Sequence, residues 1–121
     1  MRYFFDTYAF FEIIEGNPSY NKYSEHVAIV TTKLQLMELY YGLLKLYGKH
    51  EAEFMYDRFV GSAVEISNEE IKAAMDFRHR HSKKKFSYID CTGYVSAQRR
   101  GIMFLTGDKA FDGIPGVEFV K

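Results

Sequence analysis

Four acidic residues interrupt stretches of the chain where a folded protein normally places apolar or capping residues: Asp6, Glu38, Asp90 and Asp108. Asp6 ends the apolar run 3–5, and Asp108 follows the apolar run 102–105 after a Thr-Gly pair. Carboxylate oxygens are the ligands that hard divalent cations prefer in proteins. If the fold gathers these residues, they form an oxygen-rich site for a cation that can activate water or polarise a phosphate.

Glu38 lies inside a segment with helical periodicity. The apolar positions of that segment are Leu34, Met37, Tyr41 and Leu44, and Glu38 falls within their stripe. An ionised carboxylate that leaves water is destabilising unless a cation compensates it. The pattern therefore predicts a partner for Glu38, either Lys, Arg or a metal ion. The alternative is an ordinary glutamate at the edge of the stripe that reaches solvent.

Asp90 also has two interpretations. The segment from Ser87 to Asp90 matches a capping box, in which the carboxylate bonds back to the amide of the cap residue. That role alone would explain an acid at this position. However, Gly93 and Ala97 follow on the same helical face, and residues this small let a helix lie close to a sheet. Such packing would direct Asp90 inward.

Short apolar runs alternate along the chain with segments of helical periodicity. The pattern predicts five strands, at residues 3–5, 27–30, 64–66, 102–105 and 117–120. It predicts helices over residues 7–15, 31–47, 51–60, 67–81 and 87–100. We therefore expect an α/β fold, a three-layer α/β/α sandwich around a central five-stranded parallel sheet. Ligands of such sheets bind beyond the carboxyl ends of the strands, where Asp6 and Asp108 lie, although both could serve only as caps or turn residues.

The composition fits a single globular domain spanning residues 1–121, because 47% of the residues are hydrophobic and 26% are charged. The only cysteine, Cys91, excludes an internal disulfide and suits a reducing compartment. The amino-terminal segment, in which Asp6 breaks an aromatic run, is neither a secretory signal nor a membrane span. We expect a cytoplasmic protein that does not associate with membranes.

The formal net charge is zero, so the chain as a whole would not attract nucleic acid over long distances. A basic strip nevertheless occurs late in the chain, formed by Arg78, Arg80, Lys83, Lys84 and Lys85. These cations could bind the phosphates of a nucleic acid. The alternative is that they end the preceding helix, where they suit the negative end of its dipole, and are otherwise solvated.

Four motifs in this order resemble the PIN-domain family, most closely its VapC-type toxins from prokaryotic toxin–antitoxin systems. The motifs are Phe5-Asp6-Thr7, Thr31 with Glu38, Ser87-Tyr88-Ile89-Asp90, and the segment from Leu105 to Phe111. The resemblance extends from Tyr3 to Val120. It implies a five-stranded parallel sheet between helices, an endoribonuclease that requires Mg²⁺ or Mn²⁺, a homodimer and an antitoxin partner.

The resemblance also implies roles for individual residues. The catalytic acids are Asp6, Glu38, Asp90 and Asp108. We expect Asp6, Asp90 and Asp108 to ligate metal directly or through water, and Glu38 to bind a second metal or to orient the attacking water. Thr7 and Thr106 support these acids, and Asp112 is an additional acid. The sequence departs from the family at Cys91, Thr92 and Tyr94, where the toxin helix is richer in alanine, and at Gly107, where the family has an arginine-like residue.

Two other functions stay open from the sequence. One is a catalytically inert PIN-like module that binds RNA or another protein, and the other is a nuclease that acts on DNA, because no residue pattern reads a 2′-hydroxyl. Separately, aromatic residues crowd the two middle helices: Tyr40, Tyr41, Tyr47, Phe54, Tyr56 and Phe59. We expect part of this helix pair to be a partner surface for a second copy or an antitoxin helix.

Overall fold

The computed structural model describes all residues from Met1 to Lys121. The fold is built around one parallel sheet. The strands are β1 (Arg2–Phe5), β2 (Ala28–Val30), β3 (Met103–Thr106) and β4 (Val117–Phe119). They lie in the order β2-β1-β3-β4, and every neighbouring pair is parallel. Phe5 of β1 lies opposite Leu105 of β3. These two central strands therefore end side by side.

The helices are α1 (Thr7–Ile14), α2 (Asn21–Ser24), α3 (Lys33–Tyr47), α4 (Lys49–Phe59), α5 (Asn68–Arg80) and α6 (Tyr88–Arg99). All but the short α2 agree with the predicted helices within two residues at each end. Side chains at the amino ends explain where several of them begin. The Thr32 hydroxyl accepts hydrogen bonds from two amides of α3, and Ser67 caps α5 in the same way. Helix α3 ends at Gly48, whose φ of 92° suits glycine.

Two apolar cores lie on opposite faces of the sheet, because successive side chains of a strand point in opposite directions. Phe5 and Leu105 belong to the core beneath α1, α3 and α4. Phe4 and Phe104 belong to the core beneath α5 and α6, where their rings stack at a centroid distance of 5.7 Å. The three-layer α/β/α sandwich expected from the sequence is therefore confirmed. No helix combines the length and the apolar character needed to cross a membrane.

The prediction of a fifth strand at residues 64–66 is wrong. The chain makes only one parallel bridge there, between Thr31 and Ala63, in which the Val64 amide donates to the Thr31 carbonyl at 2.8 Å. The ladder ends at that point because the backbone has other partners. The carbonyl of Glu65 accepts a hydrogen bond from the Arg100 guanidinium at 3.1 Å, and Ser67 then starts α5.

The predicted buried face of α3 is also wrong. The residues that contact the core are Leu36, Leu39 and Leu43, all fully buried, whereas Met37 is 54% exposed and Tyr41 is 62% exposed. Apolar residues occur around most of this helix, so two different stripes satisfy the three-four spacing. Glu38 is half-buried at the boundary of the true core face.

Candidate active site

A cleft of about 340 Å³ opens at the carboxyl end of the sheet. All four acids singled out in the sequence line it: Asp6, Glu38, Asp90 and Asp108. Asp6 directly follows β1, and Asp108 lies two residues after β3. Helix α3 contributes Glu38, and the first turn of α6 contributes Asp90. The fold therefore brings together acids that are separated by as many as a hundred residues in the sequence.

Asp6 is the most deeply buried of the four, with 3% of its surface exposed. It caps α1: its Oδ1 accepts from the Thr7 amide at 2.9 Å, and its Oδ2 accepts from the Thr106 hydroxyl at 2.7 Å. Burial raises the pKa of Asp6 to about 7, with further contributions from the charges of Asp90 and Glu38, while the two hydrogen bonds act in the opposite direction. A fixed orientation and an elevated pKa mark this carboxyl as the centre of the site.

Asp108 forms a hydrogen bond with the same Thr106 hydroxyl group. Its amide donates to Thr106 Oγ1 at 3.1 Å, and its carboxylate Oδ1 accepts from the Ala110 amide at 3.1 Å. Thr106 therefore donates to Asp6 and accepts from the backbone of Asp108. Asp108 is therefore a cap that also lines the cleft, and its second carboxylate oxygen, Oδ2, has no hydrogen-bond donor within the protein.

Asp90 is also both a helix cap and a residue of the cleft. The Ser87 amide donates to Asp90 Oδ2, and the Asp90 amide donates to Ser87 Oγ, both at 2.9 Å, which confirms the capping box. Burial raises the pKa of Asp90, and the charges of Asp108 and Glu38 add to that effect against the hydrogen bonds from Ser87. The cap fixes one oxygen of the carboxylate and leaves the other, Oδ1, without a protein partner.

Glu38 differs from the other acids because no protein group donates a hydrogen bond to its carboxylate. Its charge raises the pKa of both Asp6 and Asp90. No salt bridge compensates any acid of the cleft: the two salt bridges of the protein join Lys49 to Glu53 and Arg100 to Glu70. The predicted Lys or Arg partner of Glu38 is therefore absent.

These carboxylates fit a hard divalent cation by their donor type, since every ligating atom they offer is an oxygen. Burial is the main cause of the raised pKa of Asp6, and the charges of Asp90 and Glu38 add to it. A cation in the cleft would neutralise those charges. As the side chains stand, no three of them converge closely enough to hold an ion together. Asp90 and Asp108 each direct one oxygen toward a backbone amide.

The remaining predicted residues lie in different places. Thr7 lines the cleft, and its hydroxyl donates to the carbonyl of Gln35 at 3.3 Å. Asp112 is exposed after the turn Lys109–Phe111 and does not line the cleft. Arg78 is half-buried: its Nε donates to the Phe86 carbonyl at 2.9 Å, and its guanidinium lies over the Tyr88 ring. The other four basic residues of the strip are exposed at the end of α5 and in the segment before α6.

Sequence reasoning missed Gln35, which is fully buried in α3. Its Nε2 donates to the Ile89 carbonyl at 2.9 Å, and its Oε1 accepts from the Thr32 hydroxyl. Because Ile89 directly precedes Asp90, this amide joins the starts of α3 and α6 beside the cleft. A buried polar residue needs such partners, and a glutamine among leucines was the only signal for it in the sequence.

Two larger hollows, of about 520 and 680 Å³, lie at the amino end of the sheet and share Met1, Tyr3 and His26. Neither gathers a group of carboxylates. We therefore place the candidate site by its chemistry and not by its volume. Parallel sheets also bind ligands at the carboxyl end of their strands.

Comparisons with solved structures agree with this architecture. VapC20 of Mycobacterium tuberculosis, described as a sarcin–ricin loop cleaving toxin, is 19% identical, with a TM-score of 0.76 over 98% of this chain and 99% of that one. VapBC2 of Rickettsia felis, bound to a promoter DNA fragment, is 20% identical, with a TM-score of 0.74 over 99% of this chain and 98% of that one. A toxin–antitoxin complex of Klebsiella pneumoniae is 20% identical, with a TM-score of 0.72 over 94% and 93% of the two chains.

At these levels of identity the solved structures establish a shared fold. A comparison with curated proteins finds no significant match. The sequence model of the PIN domain, however, matches residues 3–117, which is nearly the whole chain. The matched region includes all four acids of the cleft. The protein therefore belongs to the PIN-domain family.

Proposed function

We propose that this PIN domain is an endoribonuclease that requires Mg²⁺ or Mn²⁺ and hydrolyses phosphodiester bonds of RNA, with residues 1–121 acting as a single domain in the cytoplasm. One observation carries the proposal. Four carboxylates from four separate elements line one cleft at the carboxyl end of a parallel sheet, and none of them has a cationic partner in the protein. A purely structural group of acids would normally be paired.

Asp6, Asp90 and Asp108 are the residues that we propose to hold the metal, directly or through water. A divalent ion bound there would supply an activated water molecule and would neutralise charge on the phosphate. Glu38 has no internal hydrogen bond, so its carboxylate is free to bind a second ion or to orient the attacking water. None of the four is proposed as a nucleophile.

The rest of the site positions these acids. Thr106 and the Thr7 amide fix both oxygens of Asp6, and Ser87 fixes one oxygen of Asp90. The bonds that hold Asp6 are buried and keep its carboxylate in place. The bonds between Ser87 and Asp90 are exposed, so the Asp90 carboxylate can turn toward a bound ion. Asp112, which is exposed outside the cleft, contributes in this proposal only as an additional acid near the path of the RNA.

RNA as the substrate is supported by the likeness to a toxin described as cleaving the sarcin–ricin loop. The basic strip offers phosphate contacts from residues Arg78, Arg80, Lys83, Lys84 and Lys85. It immediately precedes α6, the helix that carries Asp90. None of these residues lines the cleft, so we propose that the exposed ones bind the backbone of the RNA outside the carboxylate site.

We also propose an antitoxin partner, because structural neighbours include a toxin–antitoxin complex and VapBC2. We propose self-association because large apolar side chains of α3 and α4, such as Met37 and Phe54, are exposed. An apolar groove between α3 and α4 is available for an antitoxin helix and is lined by Leu34, Met37, Tyr40 and Tyr56. Of the aromatic residues expected at a partner surface, Phe59 instead belongs to the core, whereas Phe54 and Tyr47 are exposed. Light scattering of the isolated protein would test whether it is a homodimer.

The test is cleavage of end-labelled RNAs, both structured and single-stranded, in Mg²⁺, Mn²⁺ or EDTA. The variants are Asp6→Asn and Asp90→Asn, and the matched control is Asp57→Asn, which alters an exposed acid of α4. We expect metal-dependent cleavage by the wild type and the control and its loss in both site variants. Full activity of Asp6→Asn would refute the assignment. A folded wild type that neither cleaves RNA nor responds to metal would favour an inert binding module.

A further inference from the structure

An exposed tyrosine and a lysine lie one helical turn apart on α3 and line the same cleft as the carboxylates. Tyr41 lies three residues after Glu38, and Lys45 lies seven residues after Glu38. All three therefore share one face of the helix. With a rise of about 1.5 Å per residue, Lys45 lies about 10 Å from Glu38 along the helix axis. The pair is therefore beside the acids, at the rim of the cleft.

Tyr41 contributes little to the packing of the protein. It is 62% exposed, and it does not belong to either apolar core or to any pair of stacked rings. The next residue, Gly42, is occupied on its inner side by the Phe11 ring, which a Cβ would overlap. Helix α3 thus packs against α1 through Gly42, while the Tyr41 ring projects beyond this contact and lines the cleft.

Lys45 is the only cation that lines the cleft. It forms no salt bridge with the four acids, although a lysine this close to uncompensated carboxylates could reach toward them. Its ammonium group instead lies over the Tyr41 ring, 4.7 Å from the centroid. The rim therefore presents an aromatic surface and a positive charge together, next to a strongly negative site.

We propose that Tyr41 and Lys45 form a subsite for one unpaired nucleotide that flanks the scissile phosphate. The base stacks on the Tyr41 ring, and the ammonium group of Lys45 binds that nucleotide's phosphate. Stacking on an aromatic side chain requires an exposed base face, which an internal base of a duplex does not offer. The subsite therefore selects single-stranded segments, and it keeps the neighbouring phosphate away from the repulsive carboxylates. This inference rests on the proposed nuclease function.

The location of the pair favours RNA over a protein partner as its ligand. Tyr41 and Lys45 line the carboxylate cleft, whereas the groove suited to a helix is lined by Lys33 and four hydrophobic residues, Leu34, Met37, Tyr40 and Tyr56. Both hollows have a lysine, so the distinction rests on the four carboxylates that lie beside Tyr41 and Lys45, where the scissile phosphate of the proposed substrate would bind. Contact of the Tyr41 ring with a protein is thus the competing outcome.

The experiment is a double-mutant cycle between the ring and a base. Binding of a labelled single-stranded oligoribonucleotide is measured by anisotropy in the Asp6→Asn background, which leaves the RNA uncut, with and without Tyr41→Leu. The same measurements use a matched oligonucleotide with abasic sites. Tyr47→Leu is the control, since Tyr47 is 52% exposed on the same helix but outside the cleft.

We expect Tyr41→Leu to weaken binding of the intact oligonucleotide roughly tenfold and binding of the abasic one hardly at all, because the two changes remove the same contact. Tyr41→Phe should bind as the parent does. Lys45→Met should lower the slope of log K against log salt by about one unit. Equal binding by the Tyr41→Leu and Tyr47→Leu variants would overturn the subsite.

The outcomes for the subsite and for the nuclease are separable. Metal-dependent cleavage by the wild type, together with unchanged RNA binding in the Tyr41→Leu variant, would refute the subsite alone. Absence of both cleavage and RNA binding in the wild type would refute both proposals. If Tyr41→Leu left RNA binding intact but abolished association with a partner protein or with a second copy, the ring would belong to a protein interface and the proposal would fail.

Discussion

Thr106 donates a hydrogen bond from its hydroxyl to Oδ2 of Asp6 at 2.7 Å, although the two residues lie a hundred positions apart. The pairing of strands in the sheet explains why Thr106 and Asp6 are in contact. Phe5 and Leu105 are paired across β1 and β3, so the next residue of each parallel strand emerges at the same edge. The same hydroxyl accepts from the Asp108 amide. One threonine therefore orients one acid of the cleft and the backbone of another.

Replacing Thr106 with valine should raise the pKa of Asp6 above its present value of about 7. The Thr106 hydrogen bond stabilises the carboxylate form and lowers the pKa, and the nearly isosteric valine removes it. The expected increase is roughly one unit. The measurement is an NMR titration of the Asp6 carboxyl carbon in EDTA. Thr106→Ser retains the hydroxyl and should leave the pKa of Asp6 close to that of the wild type.

Asp6 should make the metal-free protein less stable as the pH rises. Its pKa is 3.8 in an exposed reference state and about 7 in the folded protein. Between these values the folded state binds a proton that the unfolded chain has released, so the free energy of unfolding falls with increasing pH. The full effect of the Asp6 carboxyl is on the order of 2–4 kcal/mol. Urea denaturation in EDTA between about pH 4 and pH 8 measures it.

Asp6→Asn serves as the test variant, because an amide mimics the protonated carboxyl and keeps an oxygen for the Thr7 amide. It should be more stable than the wild type near pH 8 in EDTA, and its stability should depend less on pH. Mg²⁺ or Mn²⁺ should raise the stability of the wild type near pH 8 and have little effect on the variant. A wild type whose stability is flat over this range would contradict the raised pKa.

Gln35→Leu should both destabilise the protein and reduce catalysis. It removes the side chain that donates to the Ile89 carbonyl and that accepts from the buried Thr32 hydroxyl. The loss of these bonds costs about 1–3 kcal/mol. Because Ile89 precedes Asp90, we expect the acid to shift and kcat to fall about tenfold or more, with KM unchanged. The control is Gln98→Leu, an exposed glutamine of α6. Normal kcat in a folded Gln35→Leu protein would show that Gln35 is only structural.

The sequence was sufficient to predict those site features that depend on local order and on strand direction. Asp6 and Asp108 were expected beyond the ends of parallel strands, and both line the cleft. The capping box at Ser87 and Asp90 was readable because its partners are only three residues apart. The cap interpretation and the site interpretation of Asp90 did not exclude each other, since a carboxylate has two oxygens.

The predictions that were wrong concern features that depend on tertiary contacts. The true core face of α3 passes through Leu36 and Leu39, and a helix with apolar residues on most sides does not reveal which stripe meets the sheet. The segment 64–66 has the composition of a strand, but the Arg100 guanidinium binds the Glu65 carbonyl. That competition between distant groups leaves no local pattern.

Gly93→Ala should destabilise the protein although alanine normally favours a helix by up to about 1 kcal/mol. The sequence predicted close packing of α6 on the sheet at Gly93, and the structure shows the reason. A Cβ there would overlap Nε2 of Gln35 and would lie 3.0 Å from Phe4 and 3.1 Å from Phe104. The Phe4 and Phe104 rings cannot easily move away from an added Cβ, because both are fully buried.

We expect Gly93→Ala to lower the free energy of unfolding by about 1–3 kcal/mol, measured as a lower urea midpoint with an unchanged m-value. The matched control is Gly61→Ala, because a Cβ at Gly61 meets no atom within 4 Å. That change should be neutral or slightly stabilising. Since the overlap at Gly93 would displace the amide that holds the start of α6, the Gly93→Ala variant should also lose activity in the same way as Gln35→Leu. Wild-type stability and activity in the Gly93→Ala variant would show that α6 can move away from the sheet without disturbing Asp90.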